Sequence, residues 1–215
     1  MTRRMILFTT AMLLSAFAAG DVVDLAIENF ANEDSAVRLN AINAAAEAGT
    51  QATQKLLGAL ESGDVRVKLS ALQALARIAD RQAQEKLAAL LKDDSDSFVR
   101  AAAARAVAAY ADRPALESLR IAASEDADAY VRASAAIAIG SVRSKPAVDL
   151  LVWLLKSNDE RVKRLAGKSL RDITLRNFGT NYEEWRKWWL ENRTDFVITM
   201  ATPPFLPLDE EDDEQ

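Results

Sequence analysis

The sequence predicts an all-α fold: a right-handed solenoid of five stacked helical hairpins, closed at its C-terminal end by a Trp-rich helix. Three observations carry that expectation. An Asp-x-x-Val-(Arg/Lys) phrase recurs about every 31 residues, at Asp34, Asp64, Asp96, Asp128 and Asp159. Each phrase opens an Ala-rich amphipathic run and follows a shorter apolar-periodic segment. Beyond the fifth copy, Trp185, Trp188 and Trp189 fall at i, i+3 and i+4, one face of a short helix.

The chain opens with a segment outside the repeat. Arg3 and Arg4 precede an apolar run from Met5 to Leu14, and Ala16-Phe17-Ala18 supplies small residues of the kind signal peptidase cuts after. Residues 1–20 are therefore expected to be a Sec-type signal peptide, cut after Ala18 or Gly20. The mature protein would be periplasmic or secreted, with no stable membrane span once the signal is removed. The run is short for a span of about 20 residues, and a retained anchor is the alternative.

Residues 21–192 hold the repeats. Segments Val22 to Phe30, Ala52 to Leu60, Ala83 to Leu91, Ala115 to Ala122 and Ala147 to Leu155 supply the first helix of each hairpin. The phrase then starts the second helix. Its Asp is a natural N-cap, because a carboxylate accepts hydrogen bonds from the free N–H groups of the first turn and sits at the positive end of the helix dipole. Counting from that Asp, +3 is Val37, Val67, Val99, Val131 and Val162, and +7 is always Ala. Position +10 carries only Ala or Ser, while +11 and +14 are mostly larger and apolar. Positions +3, +7, +10, +11 and +14 form one face of a 3.6-residue helix, which is the expected core. Its small members let successive second helices stack closely.

In these in-register phrases, from Asp21 to Asn192, the chain resembles the HEAT-repeat family, in particular the short HEAT-like repeats of the phycobilisome-lyase type. The Trp/Gly/Tyr and Thr-Pro-Leu-His patterns of tetratricopeptide and ankyrin arrays are absent. The resemblance implies a ladder in which the turn Asp and the following cation bond between neighbouring units. That would give Asp34, Asp64, Asp96, Asp128 and Asp159, with Arg38, Lys68, Arg100, Arg132 and Lys163, a structural role; cations reserved for a ligand are the alternative. It also raises a chromophore-lyase activity, which the absence of any Cys or His to help handle a bilin argues against.

The resemblance places the second helices on the concave surface, where +1, +2, +5, +9 and +12 would face outward. Position +9 varies as a recognition surface should: Asn43, Gln73, Arg105, Ile137 and Lys168. Position +5 reads Leu39, Leu69, Ala101, Ala133 and Arg164, an apolar strip that either receives a bound segment or is covered by the curvature of the stack. Phe98 and Tyr130 occupy +2 of adjacent repeats, with Arg66 and Arg161 at the flanking equivalents. They either pair as an exposed anchor or pack against the preceding helices.

The Trp-rich helix, preceded by Asn177-Phe178-Gly179, is expected to be a lid over the fifth repeat; an aromatic platform for a glycan or small ligand is the sharper reading. Residues 193–215 depart from the repeat. They contain Pro203-Pro204-Phe205-Leu206-Pro207-Leu208 and then six consecutive acids, Asp209 to Glu214. A solvated tail is expected, or a docking tail anchored by Phe205 and Leu206.

Composition narrows the chemistry. Half of the 215 residues are hydrophobic, and there is no Cys and no His. That removes the usual thiol nucleophile, the neutral-pH base and the commonest transition-metal ligands, so no cofactor is expected and catalysis is disfavoured. Without the two leader arginines and the six tail acids, 25 cations face 26 acids, a balance that supplies no basic stripe for nucleic acid. The sequence thus points to a non-catalytic scaffold of the cell envelope that binds a protein segment along its concave face. A glycan or small-ligand module using the Trp-rich end, or an accessory subunit of an enzyme complex, are the alternatives. Oligomeric state is open.

Overall fold

The computed structural model describes residues 19–198. Most of the expected signal peptide and the Pro-containing acidic segment lie outside them. Eleven α-helices are present among the described residues: α1 Ala19–Glu28, α2 Ser35–Glu47, α3 Thr53–Ala59, α4 Val65–Ile78, α5 Gln84–Asp93, α6 Ser97–Ala108, α7 Arg113–Glu125, α8 Ala129–Ser141, α9 Lys145–Leu154, α10 Glu160–Thr174 and α11 Tyr182–Asn192. Helices α1 to α10 pair into five hairpins, and α11 covers the last one. None of the helices is long and apolar enough to cross a membrane.

Each second helix begins as the sequence requires. Asp34, Asp64, Asp96, Asp128 and Asp159 are its N-caps, each accepting from the backbone N–H two residues on. A preceding turn orients each cap. The side chains of Asn32, Ser62, Asp94, Asp126 and Ser157, two residues earlier, accept the cap residue's own N–H.

The ladder differs from the expected one. Arg100 forks onto Asp126 at 2.9 and 3.0 Å, and Lys68 reaches Asp94 at 2.8 Å, so the acceptor is the turn acid two residues ahead of the cap and not Asp128 or Asp96. Of the five expected ladder cations only Arg132 meets a cap, Asp159, at 2.7 Å. The reason is local. Ser157 is too short to reach across, and Asp159 supplies both functions. Ser62 leaves Arg38 without an acid to meet, and Arg38 keeps only the own-turn carbonyl contacts, to Asn32 and Glu33, that Arg100 and Arg132 make as well. Lys163, with no further hairpin to face among the described residues, pairs with Glu160 at 2.7 Å. Asp34 and Asp64 act as caps, Asp64 with a further contact to Arg66 at 3.3 Å.

A second set of caps, unread in the sequence, opens the first helices. Asp80, Asp112 and Ser144 follow directly on Ala79, Ala111 and Arg143, each in the left-handed backbone region at φ 50°, 52° and 44°. One left-handed residue therefore reverses the chain between repeats, with Gly49 at φ 61° as the first-repeat equivalent. Asp80 accepts from Thr53 at 2.7 Å, and Asp112 from Gln84 at 2.9 Å, which ties successive repeats along this edge too.

The core is wider than the face read from the sequence. Position +11 (Ala45, Leu75, Val107, Ile139, Leu170) is completely buried in all five repeats. In the central repeats +5, +6 and +8 are also buried, through Ala101, Ala102, Ala104, Ala133, Ser134 and Ala136. Ala side chains let α6 and α8 approach until little but the +2, +9 and +13 stripe meets solvent. The first helices stand further apart, leaving grooves of about 510 Å³ between α5 and α7 and about 480 Å³ between α7 and α9. Tight second helices and spread first helices bend the stack, with the second helices on the inner side.

Candidate functional site

Along the inner side, each second helix presents +2 and +9, two turns apart on one face. Phe98 and Tyr130, which begin α6 and α8, pack ring to ring with centroids 5.7 Å apart and planes tilted 56°. They stay exposed, at 60% and 39%, so the pair spends its packing on itself and is not folded under the preceding helices. Two turns further on, Arg105 and Ile137 are exposed as well, Ile137 at 51%. In α4 the equivalents are Arg66 and Gln73, both exposed. The structure thus brings Arg66, Gln73, Phe98, Arg105, Tyr130 and Ile137 onto one inner surface, apolar at its centre and cationic around it.

The +5 strip behaves differently. Ala101 and Ala133 are sealed between helices, Leu69 is half-buried against the core, and of its four apolar members only Leu39 in the first repeat stays largely exposed, at 48%. Curvature covers the middle of the strip, so the continuous apolar groove imagined from sequence is reduced to an aromatic patch.

The expectation of no basic stripe is corrected in the fifth repeat. Arg161, Arg164, Lys168 and Arg171 fall at i, i+3, i+7 and i+10 of α10. Arg161, Arg164 and Lys168 are exposed and have no carboxylate partner among the described residues; Arg171 touches only its neighbour Asp172, at 3.7 Å. Whole-chain charge arithmetic averages over this asymmetry, whereas helical spacing concentrates it.

The Trp-rich end is closed. Trp185 is fully buried and donates its ring N–H to the Gly179 carbonyl at 2.9 Å; Trp189 is buried and donates to Asp149 at 2.7 Å. Phe178, Trp188 and Phe196 complete the cluster in mostly edge-on contacts, such as Phe178 on Trp185 at 4.9 Å. Arg193 forks onto Asp149, and Lys145 donates to the Thr194 carbonyl at 2.8 Å, so residues assigned to the tail by composition belong to the cap. Of the three tryptophans only Trp188 retains partial exposure, as Phe178 and Phe196 do beside it.

Trp153, on α9, escaped notice because it sits within an apolar first-helix run. It is 44% exposed on the outer side, with the Arg120 guanidinium 5.6 Å from its ring centre. Exposed Trp on a helix whose other apolar residues are buried is the signal that could have found it. Among the described residues no acidic cluster is placed to hold a metal.

The Arg132 fork, against the opposing effect of burial, holds Asp159 below the usual carboxylate range. Burial would raise Asp94 and Asp112, but hydrogen bonds outweigh it: from Lys68 and the Asp96 N–H for Asp94, and from the Ala115 N–H, Gln84 and Arg81 for Asp112. Asp128 is held low by the Tyr130 N–H it caps, so the acid nearest the Phe98–Tyr130 pair is a helix cap.

A family model described as HEAT repeats matches the chain over residues 23–108, 53–140 and 116–180. Among solved structures, an engineered protein of the Northeast Structural Genomics Consortium is 27% identical, with a TM-score of 0.47 over 79% of this chain and 86% of that one. A second engineered protein from the same consortium is 22% identical, with a TM-score of 0.47 over 81% and 96%. The complex of CpcE and CpcF of phycocyanin lyase from Nostoc sp. PCC7120 is 21% identical, with a TM-score of 0.47 over 79% and 69%. No curated protein matches.

Proposed function

The chain belongs to the HEAT-repeat family, and from that premise we propose that it is a non-catalytic protein-interaction scaffold of the cell envelope, holding a partner segment along its inner surface. The observation that carries this reading is the exposed Phe98–Tyr130 pair at the centre of the second helices. Aromatic and Arg side chains are enriched among the anchors of protein interfaces, the rings because they bury much area at little entropic cost and Arg because its planar fork makes several directed hydrogen bonds. Here two rings already fix each other, and Arg66, Gln73, Arg105 and Ile137 surround them. Export is supported by the Arg3-Arg4 start, the Met5 to Leu14 run and the Ala16-Phe17-Ala18 site. An accessory subunit would use the same surface, its enzyme being the captured protein.

The test is co-purification from envelope extract with wild-type chain and with Phe98→Ala/Tyr130→Ala. Both side chains are exposed, so the variant should fold. Loss of the co-purifying protein supports the reading; unchanged capture contradicts it.

A further inference from the structure

The cationic line on α10 is chemically unlike the rest of the inner surface. Repeats one to four each place at most one cation among their +2, +5 and +9 positions, whereas repeat five places Arg161, Arg164 and Lys168 there and adds Arg171. Like charges one and two turns apart on one helix repel, by a few tenths of a kcal/mol per pair. Elsewhere some exposed cations are answered, as Lys55 is by Asp24, and others such as Lys92, Arg105 and Arg113 are not, but those three stand on separate stretches of chain whereas these four share one helix face. Here the answering carboxylates are missing from the described residues.

The chain itself carries the complement. Asp209 to Glu214 are six consecutive acids, following Phe205 and Leu206. Described structure ends at Ile198, and its course up to that point is anchored. Lys145 holds the Thr194 carbonyl, Phe196 packs on Trp188 and Trp189, and Ile198 is half-buried against the core. Lys145 starts α9, two residues after Arg143, whose guanidinium meets the Asp172 carbonyl near the C-terminal end of α10 at 3.4 Å. The Thr194 carbonyl therefore sits at the edge of the stack where α9 starts and α10 ends, the edge that also carries Arg171.

Reach and length both fit. Ten residues, 199–208, separate Ile198 from Asp209, and the eleven Cα steps reach roughly 36 Å when extended. The line from Arg161 to Arg171 spans about 15 Å of helix, and six extended acids cover about 20 Å. Pro203, Pro204 and Pro207 disfavour a helix in the connection, which keeps that reach available.

We propose that the acidic segment Asp209–Glu214 docks in cis along the Arg161, Arg164, Lys168 and Arg171 line of α10. A segment tethered this closely acts at an effective concentration in the millimolar range, so weak exposed ion pairs suffice to populate the docked state. Docking neutralises the line, leaving the Phe98–Tyr130 patch as the open part of the inner surface. It also makes access to repeat five dependent on salt, because the pairs are exposed and the Debye length shrinks from about 10 Å at 0.1 M to about 3 Å at 1 M. The inference does not depend on the partner reading above.

Zero-length carbodiimide coupling tests it, since that reagent joins a carboxylate and an amine only in contact. An equal mixture of ordinary and 15N-labelled full chain is coupled at low salt, digested and read by mass spectrometry. The expected product joins Lys168 to a residue of Asp209–Glu214 with matching isotopes, at least about fivefold above tail adducts of the exposed Lys92 and Lys187. It should fall severalfold at 1 M salt. Arg161→Gln with Arg164→Gln, both exposed, should lower it likewise while helix content by circular dichroism stays unchanged. Mixed-isotope products would make a second copy the occupant and overturn the proposal. Adducts spread evenly over Lys92, Lys187 and Lys168 would overturn it too.

Discussion

Arg100 and Asp126 meet in a two-pronged ion pair, Nε and Nη2 of the guanidinium at 2.9 and 3.0 Å from the two carboxylate oxygens. The remaining nitrogen of Arg100 donates to the Asp94 carbonyl of its own turn. One side chain therefore clips two consecutive turns, and both partners are largely buried. Asp126 does double duty by accepting the Asp128 N–H.

This division of labour separates two acids that look equivalent in the sequence. Asp126→Ala strands the mostly buried Arg100 and unties the Asp128 cap, and should cost about 2–3 kcal/mol. Asp128→Ala removes a cap alone and should cost about 1 kcal/mol. Urea denaturation of the two variants checks the order; a larger loss at Asp128 would return the ladder to the caps.

Helices α8 and α10 come together at Gly140, where an added Cβ would lie 2.3 Å from the Ser169 Oγ and 2.6 Å from its Cβ. Gly140→Ala should destabilise by about 1–2 kcal/mol, overpacking outweighing the better helix propensity of Ala. In a Ser169→Gly background the same change should stabilise by roughly 0.5–1 kcal/mol, because only the propensity gain remains. Thermal melts of the four proteins read this coupling directly.

Ala111 sits at φ 52° between α6 and the Asp112 cap, where Cβ is a liability. Ala111→Gly should raise stability by about 0.5–1 kcal/mol, in contrast to Gly substitutions inside helices. The shift in thermal midpoint measures it.

Stability should respond to acid and to strong base, with a flat region between them. Asp94, Asp112 and Asp159 are held below their ordinary range in the fold, so the unfolded chain binds protons first as pH falls. Their contribution is present above a carboxylate pKa of about 4 and lost as pH drops through the lowered folded values. Tyr110, pushed up to about 12 by burial and the charge of Asp80, contributes below about pH 10 and loses that contribution as pH rises through 12. With no His or Cys, no side chain has an ordinary pKa between about 5 and 8. The thermal midpoint should be level from about pH 6 to 8 and fall at both extremes.

The helical hairpins were legible because capping and 3.6-residue periodicity are local, and five copies averaged out the noise at Ala45 or Ser169. The Phe98–Tyr130 pair was legible for the same reason: residues at one repeat position become neighbours in a stack. What single-helix patterns concealed came from packing between helices. Ala101 and Ala133 read as outward-facing, yet neighbouring backbones come close enough to seal them. The ladder acids were misplaced because whether Asp126 or Asp128 meets Arg100 depends on how adjacent turns offset. Phe196 read as tail, although it completes the Trp cluster.

The most direct test of the inner-surface account is a photo-crosslinking scan in producing cells, with a benzophenone side chain placed singly at Phe98 or Ile137 on the inner side and at Leu25 or Ile121 on the outer side. All four positions are exposed. The account predicts one common adduct from positions 98 and 137 and none from 25 and 121; an adduct confined to the outer positions would contradict it.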